Sequence, residues 1–191
     1  MKLLKDLIFI KSLSGEEEEL AQFILSYCQK LGIKASEIEG NVVFHFEGQK
    51  RKKALIFCAH LDTVGEGNRD RWTFSPYGTG SGREINGKIY GLGASDDKAG
   101  IAAFLSLALI LKKEKPVVDV FFVFVTNEEI DGSGSSSFVS YFSKKYLSSY
   151  KNVTAIIGEP TNLKKVEIGN RGNYFLKIIT SIIQDMDPSL L

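Results

Sequence analysis

The 191-residue sequence predicts an α/β fold: a mixed, largely parallel sheet with helices on both faces. Three observations predict it. Residues 117–125 form a nearly unbroken apolar run of strand length, the pattern of a strand covered on both faces. Helical and strand-like segments alternate after residue 41 in the order β, loop, α, β, loop, α, β. Polar, chemistry-bearing residues stand just beyond the ends of the apolar runs, where sites form in such sheets.

The elements follow in chain order. Residues 3–10 carry a helix-like apolar pattern. Ser14 and Glu17 have the spacing of a capping box for the next helix. On that helix Leu20, Phe23, Ile24, Tyr27, Cys28 and Leu31 share one face, and Gly32 ends it. Glu16 to Glu19 read as a solvated first turn that complements the helix dipole. Residues 41–46 alternate as a strand, and residues 53–59 form a more apolar one. Asn86-Gly87 between short apolar runs predicts a tight hairpin over 85–90. A loop over 91–100 opens into an Ala- and Leu-rich helix, 101–113. After the 117–125 strand come an amphipathic helix over 137–147 and a short buried strand over 153–157. Residues 165–168 and 174–180 look like further strands.

Composition narrows the function. Hydrophobic residues make up 43% and charged residues 25%, an ordinary globular balance. With a net charge of +1 and no basic tract, nucleic acid is a poor partner. No apolar run reaches the ~18 residues of a membrane span, and Lys2, Lys5 and Asp6 interrupt any signal-type core. Cys28 and Cys58 sit far apart in apolar contexts and read as two buried thiols of a reduced, cytoplasmic protein. Gly91-Leu92-Gly93 lacks the third glycine of a dinucleotide loop, since position 96 is Asp.

His60, Glu128, Glu129 and Glu159 each follow the end of an expected strand, and Asp96 lies in the loop before a helix. Asp62, two residues after His60, can accept the second ring N–H and fix the tautomer. Imidazole and carboxylates are the donor types of a zinc site. With many carboxylates and few histidines, two ions sharing a carboxylate is a fitting arrangement. Of two adjacent glutamates, one can bind an ion while the other stays free as a base. Each residue also has an ordinary reading. A lone His at a strand end is commonly satisfied by its neighbours, Asp96-Asp97 suits a helix cap, and Glu128-Glu129 and Glu159-Pro160 suit solvated turns. Their joint occurrence at corresponding ends favours the metal reading.

Five stretches carry a family resemblance: Cys58-Ala59-His60-Leu61-Asp62-Thr63-Val64; Trp72-Thr73-Phe74-Ser75-Pro76-Tyr77; the run from Gly87 to Gly100; Thr126-Asn127-Glu128-Glu129; and Gly158-Glu159-Pro160-Thr161. Together they resemble the dinuclear zinc metallopeptidases and deacylases that include succinyl-diaminopimelate desuccinylase, acetylornithine deacetylase, carboxypeptidase G and peptidase T. The resemblance implies a zinc-exopeptidase-like catalytic domain and an amide hydrolase of N-acyl amino acids or small peptides. It implies one or two Zn²⁺ ions, with Co²⁺ or Mn²⁺ as substitutes, and a homodimer in the full-length family form. By resemblance, His60 and Glu159 are ligands of the first metal, Asp96 bridges both, Glu129 binds the second, Asp62 orients His60, and Glu128 is the general base. The Asp96–Asp97 bond is similar to one that is cis in this family.

The chain also departs from the family pattern. Its two histidines are His45 and His60, and His45 does not match the family's downstream histidine ligand. The expected organisation is a truncated one, with residues 1–169 the N-terminal part of the metal-binding catalytic domain and 170–191 the start of a lid and dimerisation domain. One ion then keeps His60, Asp96 and Glu159, while the other keeps Asp96 and Glu129. Two further functions stay open beside the hydrolase: a non-catalytic metal-binding remnant, and a protein-interaction module reusing the fold.

Overall fold

A computed structural model describes residues 1–162 and 164–169. Met1–Pro160 form one compact unit. It begins with two helices, α1 (Lys2–Phe9) and α2 (Glu18–Lys30), then a hairpin of β1 (Ser36–Ile38) and β2 (Asn41–Phe46). After β3 (Lys53–His60) comes a separate small hairpin, β4 (Arg83–Ile85) and β5 (Lys88–Tyr90). The remaining elements are α3 (Lys98–Lys113), β6 (Asp119–Val125), α4 (Ser133–Lys145) and β7 (Asn152–Ile157).

The main sheet has the order β1-β2-β6-β3-β7. β6 pairs with β3 and β3 with β7 in parallel, while β2 is antiparallel to both β1 and β6. Of these five strands only β2 runs against the rest, so the sheet is mixed and largely parallel, as expected. The Asn86-Gly87 turn is also as expected: both residues have positive φ, 50° and 74°, which the twist of a two-residue hairpin demands.

Every residue of β6 is buried. Val120, Phe122 and Phe124 face a core built with Leu7, Leu20, Ile24, Ile101 and Leu105 of α1, α2 and α3. Phe121, Val123 and Val125 face the other way, against Phe138 and Phe142 of α4. The alternation of a strand thus feeds two cores, one on each sheet face. Phe122 is the centre of the first, stacked on Phe44 at 4.9 Å and on Phe57 at 5.3 Å between ring centroids.

Four expectations need correction. The helix expected at 137–147 begins at Ser133, so the Gly/Ser turn is part of it. A side chain at Gly134 would place Cβ 2.3 Å from the Thr126 carbonyl oxygen, so this glycine lets α4 lie close against the end of β6. The strand expected to be buried at 153–157 is β7, and Ile156 and Ile157 are 45% and 54% exposed. It pairs with β3 along one edge, and all of its residues except the half-buried Val153 are exposed. Residues 165–168 form no strand, with Val166 and Ile168 90% and 100% exposed. Four alternating residues do not make a strand without a neighbouring ladder. The fourth concerns Ser14 and Glu17. α2 starts at Glu18 with no side-chain cap bond, and both expected capping residues turn elsewhere. The strand expected at 174–180 and the expected lid segment, 170–191, lie outside the described residues. No helix among the described residues is long and apolar enough to cross a membrane.

Candidate metal centre

Parallel pairing brings the C-terminal ends of β3, β6 and β7 to one edge of the sheet. His60 is the last residue of β3 and is paired with Val125, the last of β6. Beyond β6 the chain enters Thr126-Asn127-Glu128-Glu129, and beyond β7 it enters Gly158-Glu159. The loop before α3 supplies Asp96. The backbone therefore delivers residues distant in sequence to one place.

His60 is 2% exposed. Its Nδ1 lies 2.8 Å from the Asp62 backbone carbonyl, with the Asp62 carboxylate at 3.4 Å. The carbonyl, at the shorter distance, accepts the Nδ1–H. That leaves Nε2 facing the Asp96 carboxylate at 2.9 Å and Glu159 at 3.8 Å. An unprotonated Nε2 opposite two carboxylates is repulsive unless a proton or another cation stands between them. Burial works against the imidazolium, but the carboxylates of Asp62, Asp96 and Asp97 outweigh it and push His60 up to about 10.

Asp62 is fully buried. Its Oδ1 accepts the Glu128 N–H and its Oδ2 the Glu129 N–H, both at 3.0 Å. Oδ2 also accepts the Ser14 hydroxyl at 2.8 Å. Burial alone would raise Asp62, yet the nearby His60 ring and these donors bring it down to about 2. Ser14 reaches it because the Ser12–Ser14 stretch runs beside Thr63, with Thr63 N–H donating to the Ser12 carbonyl at 2.8 Å.

The two adjacent aspartates divide their work. Asp97 caps α3, accepting the Gly100 N–H at 3.1 Å, and also accepts the His60 backbone N–H at 3.3 Å. Burial, with the Glu159 and Asp96 charges partly countered by His60, pushes it up to about 7. Asp96 is the one turned to the His60 ring, and the peptide between the two is cis. Buried Lys98 donates to the Ile10 carbonyl at 2.6 Å, tying the start of α3 to the chain after α1. Glu129 and Glu159 are both raised by burial, and then by the crowding of carboxylates around them.

Two sets of three residues, His60/Asp96/Glu159 and His60/Glu128/Glu129, each bring one donor atom per residue within 4.8 Å of one another. All six residues singled out in the sequence thus lie at one site. The imidazole-plus-carboxylate donors suit Zn²⁺, and the crowded carboxylates call for compensating positive charge. Sequence reasoning missed Ser14, Glu17, Asn41 and Asp97 as parts of this neighbourhood. The Ser14–Glu17 spacing was a usable signal, but it pointed to a local cap.

The chain is 30% identical over 184 residues to a Peptidase M20 domain-containing protein of Schizosaccharomyces pombe, covering 91% of the chain and 41% of that protein. It is 30% identical over 189 residues to succinyl-diaminopimelate desuccinylase of Rickettsia rickettsii, covering 92% and 48%. The chain therefore spans about half the length of these relatives. An M20 family metallo-carboxypeptidase from Sulfolobus solfataricus superimposes with a TM-score of 0.68 at 24% identity, over 81% of this chain and 36% of that one. Residues 56–181 match the model of Peptidase family M20/M25/M40, and the chain belongs to that family.

Proposed function

We propose that this chain carries the metal-holding and proton-transferring part of a hydrolase of amide bonds in N-acyl amino acids or small peptides, of the deacylase or desuccinylase type. It rests on the convergence of His60, Asp96 and Glu159, with Glu128 and Glu129 forming a second set of donors around the same imidazole. Membership of the family and the desuccinylase relatives support it. Two unpaired thiols in the compact unit suit a reducing cytoplasm.

His60, Asp96 and Glu159 would hold a first divalent ion, Zn²⁺ by donor type, with Co²⁺ or Mn²⁺ as substitutes. Asp96 and Glu129 would contribute to a second. Such an ion, when bound, supplies Lewis acidity towards a carbonyl and acidifies water. The protein's own groups do the rest. Asp62 holds His60 from the Nδ1 side, leaving Nε2 as the donor atom. Glu128, on the exposed side of the site, takes a proton from the attacking water and returns it to the leaving amine. Asp62 also fixes the backbone from which Glu128 projects.

Hydrolysis of an N-acyl amino-acid panel by the zinc-supplemented chain, wild type against Glu128→Gln, tests this. A general base of this kind is worth about 10²- to 10⁴-fold, so the variant is expected to lose at least about 100-fold. Undiminished hydrolysis in Glu128→Gln removes Glu128 from the role. Metal bound without hydrolysis by the wild type supports the metal-binding remnant instead.

A further inference from the structure

Glu17 is 6% exposed, and its carboxylate serves neither its own helix nor any ion pair among the described residues. Its Oε1 accepts the backbone N–H of Asn127 at 3.1 Å, from 110 residues away. The neighbouring amides are held in the same way. Thr126 N–H donates to Asn41 Oδ1 at 3.0 Å, and Glu128 and Glu129 N–H donate to Asp62 at 3.0 Å each. Four consecutive amides of the loop after β6 thus each find a side-chain oxygen, from three different parts of the chain. A loop whose N–H groups point successively at side chains is making no ladder of its own. Asn127 has φ 54°, a left-handed turn that asparagine tolerates and that swings this run of donors round.

We propose that Glu17 is a positioning residue for this loop, holding Glu128 and Glu129 in register with His60 through the Asn127 amide. The inference rests on the proposed function for what the loop is positioned to do, but not for the positioning itself. Of the three accepting residues, Asp62 touches the site directly and Asn41 also braces α4, through Gly134 and Ser137. Among the described residues the Glu17 carboxylate is bonded to the loop alone. The Ser14–Glu17 turn therefore clamps the site twice, Ser14 on Asp62 and Glu17 on Asn127.

Two substitutions separate positioning from bulk. Glu17→Gln keeps an acceptor oxygen, and Glu17→Met keeps the volume and removes the acceptor. Amide hydrogen exchange of the metal-free protein is the first readout. A buried N–H left without a partner costs about 1–3 kcal/mol, so Asn127, Glu128 and Glu129 are expected to exchange roughly 5- to 150-fold faster in Glu17→Met. The β6 amides Phe121 to Val125 should be unchanged, and Glu17→Gln should match the wild type within a few-fold. The second readout is zinc titration by calorimetry. Outer partners of metal sites are typically worth 10- to 100-fold in affinity, and Glu17→Met is expected to fall in about that range while Glu17→Gln does not. Loop exchange in Glu17→Met equal to wild type overturns the proposal, as does a uniform acceleration that includes β6. Should Glu17→Met not fold, faster loop exchange in Glu17→Gln overturns it, and protection equal to wild type supports it. Failure of the wild type to bind zinc contradicts the proposed function and leaves the exchange arm decisive for Glu17.

Discussion

Asp62 satisfies two backbone amides and a hydroxyl with two oxygens while lying against the His60 ring, so a change at this one side chain is felt in several places. Asp62→Asn keeps the shape but turns one oxygen into an N–H donor facing another donor. Hydrogen bonds to a buried charge are worth about 1.5–3 kcal/mol, and a loss of that size is expected. Urea unfolding of the metal-free protein measures it, as a lower midpoint at unchanged slope; an unaltered midpoint would show that the Asp62 charge holds nothing. The principal site residues were legible because their types announce chemistry and they stand at strand ends. Ser14, Glu17 and Asn41 were not, because their partners lie 48, 110 and 85 residues away. A hydroxyl or carboxylate just before a helix reads as a local cap until the fold brings a buried amide closer.

Among the elements, β6 is the one on which both cores depend. Phe122→Ala removes a fully buried ring stacked on two others. It is expected to cost about 3–5 kcal/mol. Ile157→Lys on β7 should stay within about 0.5 kcal/mol, because the side chain it replaces is 54% exposed. Thermal melts of the two variants compare them directly, and similar losses would mean that β7 is buried after all. Periodicity revealed the existence and order of these strands, including the central place of 117–125. It overstated β7 for a physical reason: an apolar strand signals a demand for cover, and the sequence of the strand does not say what meets that demand. The boundary of α4 escaped for another reason. Glycine and serines are poor helix formers, and here the close approach of Gly134 to Thr126 overrides that propensity.

At the scale of the molecule, a sheet with four of its five strands running one way collects the ends of β3, β6 and β7 on one edge, and three loops carry the carboxylates there to meet one imidazole. The architecture accounts for why residues 60, 96, 128, 129 and 159 meet; the chain spans about half the length of its relatives, so this site is what the described residues themselves supply. Everything proposed for this edge of the sheet depends on His60 and its carboxylates holding a divalent ion. Zinc content after loading and exhaustive dialysis tests it most directly, with the wild type compared against His60→Ala. The wild type is expected to hold about one equivalent tightly, and the variant to lose at least about 100-fold in affinity, since a ligand rather than an outer partner is removed. A wild type that retains no zinc, cobalt or manganese, or a His60→Ala protein that retains as much as the wild type, would contradict it.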